Sequence, residues 1–317
     1  MKKVISLILS VIMIASLFAG CASSSSSDGC KVAIVQQLDH ASLDEIRVAI
    51  EAELTAAGVE FDVFNGQNDA SMLNQIGAQV VADQYNAIIP IATLAATCMV
   101  TAADGTGIPI VYAAISDPES AGLTNIENVT GTSDALNTAF IFDMMFAASP
   151  DIQTVGLLYS NSETNSETPI AEAKAYLDAK GIAYIEGTGN TADEVLTAAS
   201  SMVGRVDAVF TPTDNTIMAS EGAVAEILNA AGIPHYAGAD SFVTAGAFAP
   251  CGVNYTELGT YTAKMAVDIL KGGDVPAFHV MDGGIITVNT ETAAALSIDY
   301  SVFADMANTV VEVTTGE

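Results

Sequence analysis

The 317-residue chain contains no tryptophan, three histidines, four cysteines, and nine lysines and arginines against 38 aspartates and glutamates. With a formal charge of −29 it offers little basic surface. Nucleic acid is therefore excluded as a partner, because that affinity comes from basic side chains neutralising phosphates. An anionic membrane surface would repel the chain as well. No CxxC pair occurs and His40, His235 and His279 are scattered, so no metal site is expected. No phosphate loop of the GxxxxGK[ST] type is present, and Gly187-Thr-Gly189 has no third glycine in register, so no nucleotide cofactor is expected. An enzyme would need a nucleophile with a base in reach, and the chain has no GxSxG elbow. Cys98 falls in an expected helix and Cys251 in an expected crossover strand; both read as small buried apolar residues rather than a bridge.

Long apolar runs are also missing, except at the start. Lys2 and Lys3, the stretch from Val4 to Phe18, and Ala19-Gly20 before Cys21 form an export signal, with an apolar run marginal for a membrane span. Cys21 followed by a serine run resembles a bacterial lipoprotein leader, which implies residues 1–20 as signal peptide and Cys21 as the lipidated residue. Residues 21–30, rich in serine and with nothing to bury, are expected to form a flexible tether.

What the chain does have is said nearly twice. Val32-Ala-Ile-Val-Gln-Gln37 returns in kind as Val155-Gly-Leu-Leu-Tyr-Ser160, and Ala87-Ile-Ile-Pro-Ile-Ala-Thr93 as Ala208-Val-Phe-Thr-Pro-Thr213. Ile108-Pro-Ile-Val-Tyr112 returns as Ile233-Pro-His-Tyr-Ala237. The offset is about 120 to 125 residues each time, so two similar lobes are implied. Each apolar run is strand-length, ends in a polar cluster and precedes a helix-length segment, the signature of a parallel sheet of β-α-β units. Ligands of such sheets bind outside the carboxyl ends of the strands. Two lobes facing each other would clamp a small molecule there.

In the first lobe, strands are expected at 31–37, 61–64, 87–92 and 108–114, with helices at 42–57, 71–81 and after Thr93. The segment from Asn128 to Asp134 reads as a first crossing between lobes, with Gly131 as a hinge point and a helix at 135–147. Second-lobe helices are expected at 168–180, 192–203 and 216–231. Pro250 to Tyr255 reads as the return crossing and Leu258 to Leu270 as a helix rejoining the first lobe. The lobes are thus 31–132 plus 254–279 and 133–253 plus 280–317.

Val35-Gln-Gln-Leu-Asp-His40, Ile91-Ala-Thr-Leu-Ala-Ala96, Ile115-Ser-Asp-Pro118, Asn128-Val-Thr-Gly131, Thr211-Pro-Thr-Asp-Asn-Thr216 and Gly252-Val-Asn-Tyr-Thr-Glu-Leu-Gly259 resemble the substrate-binding lipoproteins of ABC importers. They are most similar to the branch that includes tryptophan- and tyrosine-binding proteins. The resemblance runs from about Lys31 to about Asn289 and implies an α/β fold of two Rossmann-like lobes, periplasmic-binding-protein type I-like, joined by a multi-strand hinge. It further implies a lipid-anchored extracytoplasmic monomer that captures a small solute, best an aromatic amino acid, and hands it to an ABC permease. Other amino acids, a nucleoside or a sugar remain open as ligands, and a sensor lobe signalling to a membrane receptor is the alternative role.

Asp240 follows the strand ending at Ala239 directly, so its carboxylate either meets a ligand ammonium group or caps the next helix. Thr213, Asp214 and Asn215 open a helix whose N–H groups suit an anion. Asp214 would repel that anion, and so caps the helix or meets the ammonium. Thr93 and Leu94 offer the equivalent place in the first lobe without a competing charge, and Thr93 is the better carboxylate contact. Ser116 can reach a polar ligand group, while Asp117 before Pro118 reads equally as a turn pair. Asn161, Ser162 and Asn165 donate to a carboxylate or form a solvated turn. Gln37 and Leu38 end the opposing strand and close over the ligand. Tyr112, Tyr159, Tyr236 and Phe242 lie near cleft edges, as core residues or as a slot for a ring.

Overall fold

The computed structural model describes residues 29–316; the expected signal peptide and Cys21 lie outside them. The first lobe is laid down by β1 (Lys31–Gln36), α1 (Ala41–Ala56), β2 (Glu60–Asn65), α2 (Ala70–Ala82), β3 (Ala87–Ile91), α3 (Thr93–Ala102), β4 (Ile110–Tyr112) and β5 (Val129–Ser133). The chain then crosses to α4 (Thr138–Ala148), β6 (Thr154–Tyr159), α5 (Glu167–Lys180), β7 (Ala183–Thr188), α6 (Ala192–Met202), β8 (Ala208–Thr211), α7 (Asn215–Met218), α8 (Glu221–Ala230), β9 (His235–Ala237), α9 (Asp240–Thr244) and β10 (Ala249–Gly252). It returns through α10 (Tyr255–Leu270) and β11 (His279–Val280), and finishes with β12 (Ile285–Asn289), α11 (Thr290–Leu296), α12 (Phe303–Met306) and β13 (Thr309–Val313). No described helix is long and apolar enough to cross a membrane.

Two sheets result, ordered β11-β5-β4-β3-β1-β2 and β13-β12-β10-β9-β8-β6-β7. All pairings are parallel except β10 with β12. In both sheets the first strand of the lobe lies between the second and the third, so strand order reverses beside β1 and beside β6. The crevice at such a reversal, outside the carboxyl ends, is where doubly wound sheets bind ligands.

Side-chain alternation explains why helices cover both faces. In β1, Val32 and Ile34 join the cluster holding Leu43, Ile46 and Ile50 of α1 and Leu258 of α10. Ala33 and Val35 point the other way, among Leu73, Ile76 and Val80 of α2 and Met99 of α3. Each fully buried Ile or Leu contributes about 1.5–3 kcal/mol by leaving water. α10 lies tightly on α1 because Gly259 has no side chain: a Cβ there would sit 2.5 Å from the Ile46 carbonyl oxygen.

Several expectations are revised. Gly131 is no hinge. It lies within β5, paired with Tyr112, and a Cβ on it would come within 2.1 Å of the Tyr112 carbonyl oxygen, so glycine serves close packing. The crossing falls after Ser133, and the helix begins at Thr138, capped by the Asn137 side chain on the Phe140 N–H. The helix expected over 216–231 is two, broken at Ala219 and Ser220. The strand expected over 108–114 is shortened to three residues, with an isolated bridge from Ile91 to Ala113 continuing its direction. Cys98 and Cys251 are free and buried.

Candidate functional site

Between the carboxyl edges of the two sheets lies a nearly closed recess with about 20 Å³ of free space, room for little more than a water molecule while the lobes are drawn together. The first lobe contributes His40, Ser42, Leu43, Ala92, Thr93, Ala114 and Ser116; the crossings contribute Asp134 and Tyr255; the second lobe contributes Asn165, Thr213, Asp214, Asn215, Met218, Ala239, Ser241 and Phe242. The lobes are drawn together around it. Ser116 Oγ meets Thr213 Oγ1 at 2.9 Å, Ser42 Oγ donates to Ser241 Oγ at 2.6 Å, and His40 Nε2 lies 3.0 Å from Asn215 Oδ1. Gln37 Nε2 donates to Glu163 Oε1 at 3.3 Å, and Thr168 Oγ1 donates to Asp117 at 2.7 Å.

The wall made by the first lobe suits an anion. α3 opens at Ala92, which has no side chain to cap the helix; Gln37 Oε1 takes the Leu94 N–H, and the positive dipole end of the helix lies at the recess that Ala92 and Thr93 line. Ala92 itself has φ 73° and ψ 163°, a backbone conformation essentially reserved for glycine that costs about 1–3 kcal/mol. Ala114, also on the recess, has φ 57°. Strain at two adjacent strand ends brings backbone into the recess where a side chain would block it. The neighbouring helix α1 likewise opens at the recess without a side-chain cap.

The opposite requirement, for a cation, is met by Asp134. This buried carboxylate accepts from Ser116 Oγ at 3.0 Å and from Tyr255 OH at 3.2 Å. Burial pushes its pKa up, and the two hydrogen bonds offset only part of that. Burial and the neighbouring Asp134 charge hold the Tyr255 hydroxyl protonated. A buried carboxylate without a cation is costly, and a ligand ammonium group would supply one. The side chains of Leu43, Met218 and Phe242 line the remainder and are apolar.

A second buried carboxylate belongs to Glu163. Glu163 accepts from Asn215 Nδ2 at 2.9 Å and Thr216 Oγ1 at 3.2 Å as well as from Gln37. Burial first, and the charge of Asp214 second, push its pKa up to about 7. Asp214 lines the recess but is saturated: one oxygen caps α7 at the Ile217 N–H, and the other takes the Ser160 N–H and the Ser166 hydroxyl. Its fixed role is to tie the end of β6 to the start of α7.

Of the residues singled out from sequence, Thr93, Ser116, Asn165, Thr213, Asp214 and Asn215 come together at the recess. Gln37 stands behind it, with its Oε1 taking the Leu94 N–H at 3.0 Å. Leu38 is packed in the core cluster around α1. Asp117 is occupied by the Glu119 and Ser120 N–H groups and by Thr168. Asn161 and Ser162 are exposed. Asp240 lines a different recess with Glu45, Thr244 and Asn254, where burial and the Glu45 charge raise its pKa to about 6. Among the aromatics, Phe242 faces the recess, Tyr112 and Tyr236 are core, and Tyr159 bonds Glu186. Sequence reasoning missed Asp134, Glu163 and the site roles of His40, Ser42 and Tyr255. Each stands within two residues of a segment quoted above, at a strand end or crossing. Among the described residues no cluster of three or more His, Cys, Asp or Glu could hold a metal ion.

Residues 31–306 match the family described as ABC transporter substrate binding protein. A "Tyrosine-binding protein" of Clostridioides difficile strain R20291 is 30% identical, over 94% of this chain and 93% of its own length. A Streptococcus pneumoniae ABC domain solved in complex with L-Trp is 30% identical, covers 89% of this chain and 99% of its own, and superposes with a TM-score of 0.83. The ligand-free, open structure of a Clostridium difficile substrate-binding protein with adhesive properties is 31% identical, covers 90% and 99%, and superposes at 0.68.

Proposed function

Because the chain belongs to the family of ABC transporter substrate-binding proteins, we propose that it captures an aromatic amino acid and delivers it to a membrane permease. The family is one of extracytoplasmic binding proteins rather than enzymes, and lipid on Cys21 would keep this member at the membrane. The observation that carries the ligand class is the recess itself. It sets a buried carboxylate, Asp134, and a helix start, at Thr93, whose Leu94 N–H is already taken by Gln37, around apolar walls of Leu43, Met218 and Phe242. An amino acid has the matching ends: the ammonium pairs with Asp134, the carboxylate meets the Thr93 hydroxyl and the start of α3, and an aromatic side chain fills the apolar part. Asp240, in its separate recess, is left out of this reading.

The names of the relatives agree with it, and so does lobe position. The Trp complex and the open ligand-free protein are equally distant in sequence, yet the former superposes far better. Together with the hydrogen bonds across the cleft, this supports a closed, ligand-embracing arrangement of the lobes.

A thermal-shift screen of the purified protein against the amino acids, nucleosides and sugars tests the proposal, since binding to the native state raises its melting point. We expect shifts with Trp and Tyr that vanish in Asp134→Asn, because leaving the ammonium unpaired costs about 3–5 kcal/mol, and that persist in Asp240→Asn. A shift with a nucleoside or sugar and none with an amino acid would overturn the reading.

A further inference from the structure

His40 is the part of the recess that an amino acid backbone does not account for. Its hydrogen bonds decide its tautomer. Asn215 Nδ2 is committed to Glu163 Oε2 at 2.9 Å, so the Asn215 carbonyl oxygen is the atom facing His40 Nε2 at 3.0 Å. A carbonyl oxygen only accepts, so Nε2 carries the ring proton and Nδ1 keeps its lone pair. Burial lowers the pKa of the ring and holds it neutral. That Nδ1 atom is buried and has no hydrogen-bond partner in the protein.

Neither neighbouring serine hydroxyl has a proton to offer it. The Ser42 hydroxyl proton goes to Ser241 Oγ, and the Ser241 proton goes to Met218 Sδ at 3.2 Å. Among the side chains on this side of the recess, His40 Nδ1 is thus an acceptor left without a donor beside the apolar surface of Phe242 and Leu43, and a ring that brings a donor would satisfy it.

Resting on the aromatic amino acid reading above, we propose that His40 selects the ligand ring: its Nδ1 accepts the phenol O–H of tyrosine or the indole N–H of tryptophan, and phenylalanine is refused. The shared chemistry is a donor carried on the ring. A phenyl ring fills the same space but leaves a buried acceptor unsatisfied, and sites built on a buried hydrogen bond discriminate strongly against analogues lacking the partner.

Calorimetric titration of the purified protein with L-Tyr, L-Trp and L-Phe reads this directly. An unsatisfied buried acceptor weakens phenylalanine by about 10- to 100-fold relative to at least one of the other two, and which of Tyr and Trp binds tighter identifies the donor used. In His40→Leu the affinity for the favoured ligand falls to that for phenylalanine, whose own affinity is retained. As a check that needs no substitution, the 15N resonance of His40 Nδ1 shifts on adding the favoured ligand and stays in place with phenylalanine. Equal binding of all three by the unaltered protein overturns the role of His40 and leaves the aromatic reading standing. So does a His40→Leu protein that weakens all three alike. Absence of binding by any aromatic amino acid sinks the aromatic reading, and this inference with it.

Discussion

Raising the pH from 5 to 8 should weaken this protein, and Glu163 should carry a separable share of the loss. Its carboxyl is enclosed by donors from both lobes, Gln37, Asn215 and Thr216, and burial beside Asp214 raises its pKa to about 7 from the ordinary 4.5. The folded state therefore holds a proton that the unfolded chain releases. The contribution of this group is intact below pH 4.5, declines as the pH climbs towards 7, and is constant above. A rise of two to three units at 1.36 kcal/mol each amounts to roughly 3 kcal/mol. Burial raises Asp134, Asp214, Glu221 and Asp240 as well; His40, lowered by burial, gives the opposite slope up to about pH 6.5, but the carboxyls outnumber it and self-repulsion within an acidic chain adds to their side. Glu163→Gln isolates the one group. Urea unfolding of both proteins at pH 5, 6, 7 and 8 and fixed ionic strength should give a difference that moves in favour of the variant by roughly 3 kcal/mol across the series. Placing an amide where three donors converge carries its own cost, but that cost is the same at every pH, so the slope is the readout. A wild-type stability that rises from pH 5 to 8, or a difference between the two proteins that is flat with pH, would refute the reasoning.

Two further substitutions test the scaffold around the site. Gly131→Ala puts a methyl group against the Tyr112 carbonyl and should cost about 1–3 kcal/mol as overpacking; unfolding indistinguishable from wild type would show that the strand yields there. Asp214→Ala strands the buried Ser160 N–H, Ile217 N–H and Ser166 hydroxyl together at about 1–3 kcal/mol for each unmade bond, so its melting point should fall well below that of Asp117→Ala, whose donors lie near solvent.

Much of the architecture was legible because it is written at short range. Strand runs such as Val32 to Val35 alternate between two helix layers, helix stripes such as Leu43, Ile46 and Ile50 recur at the helical period, and both patterns appear twice at one spacing. Strand ends carry the polar residues, so Thr93, Ser116, Thr213 and Asn215 were found by position alone. Long-range partners leave no such trace. Asp134 and Tyr255 are 121 residues apart, and Gln37 and Glu163 are 126 apart; no local pattern says that these side chains will meet.

Asp240 and Asp214 make the same point from the other side. Both stand where a strand gives way to a helix, and the sequence offered each a choice between ligand and cap. The packing decided: Asp214 was drawn inward onto three donors of its own lobe, and Asp240 turned towards Glu45 in another recess. Sequence determined which residues reach the cleft edge, because burial and periodicity are properties of a segment. Which carboxylate is left facing the recess depends on where every competing donor lies, and only the folded pair of lobes fixes that.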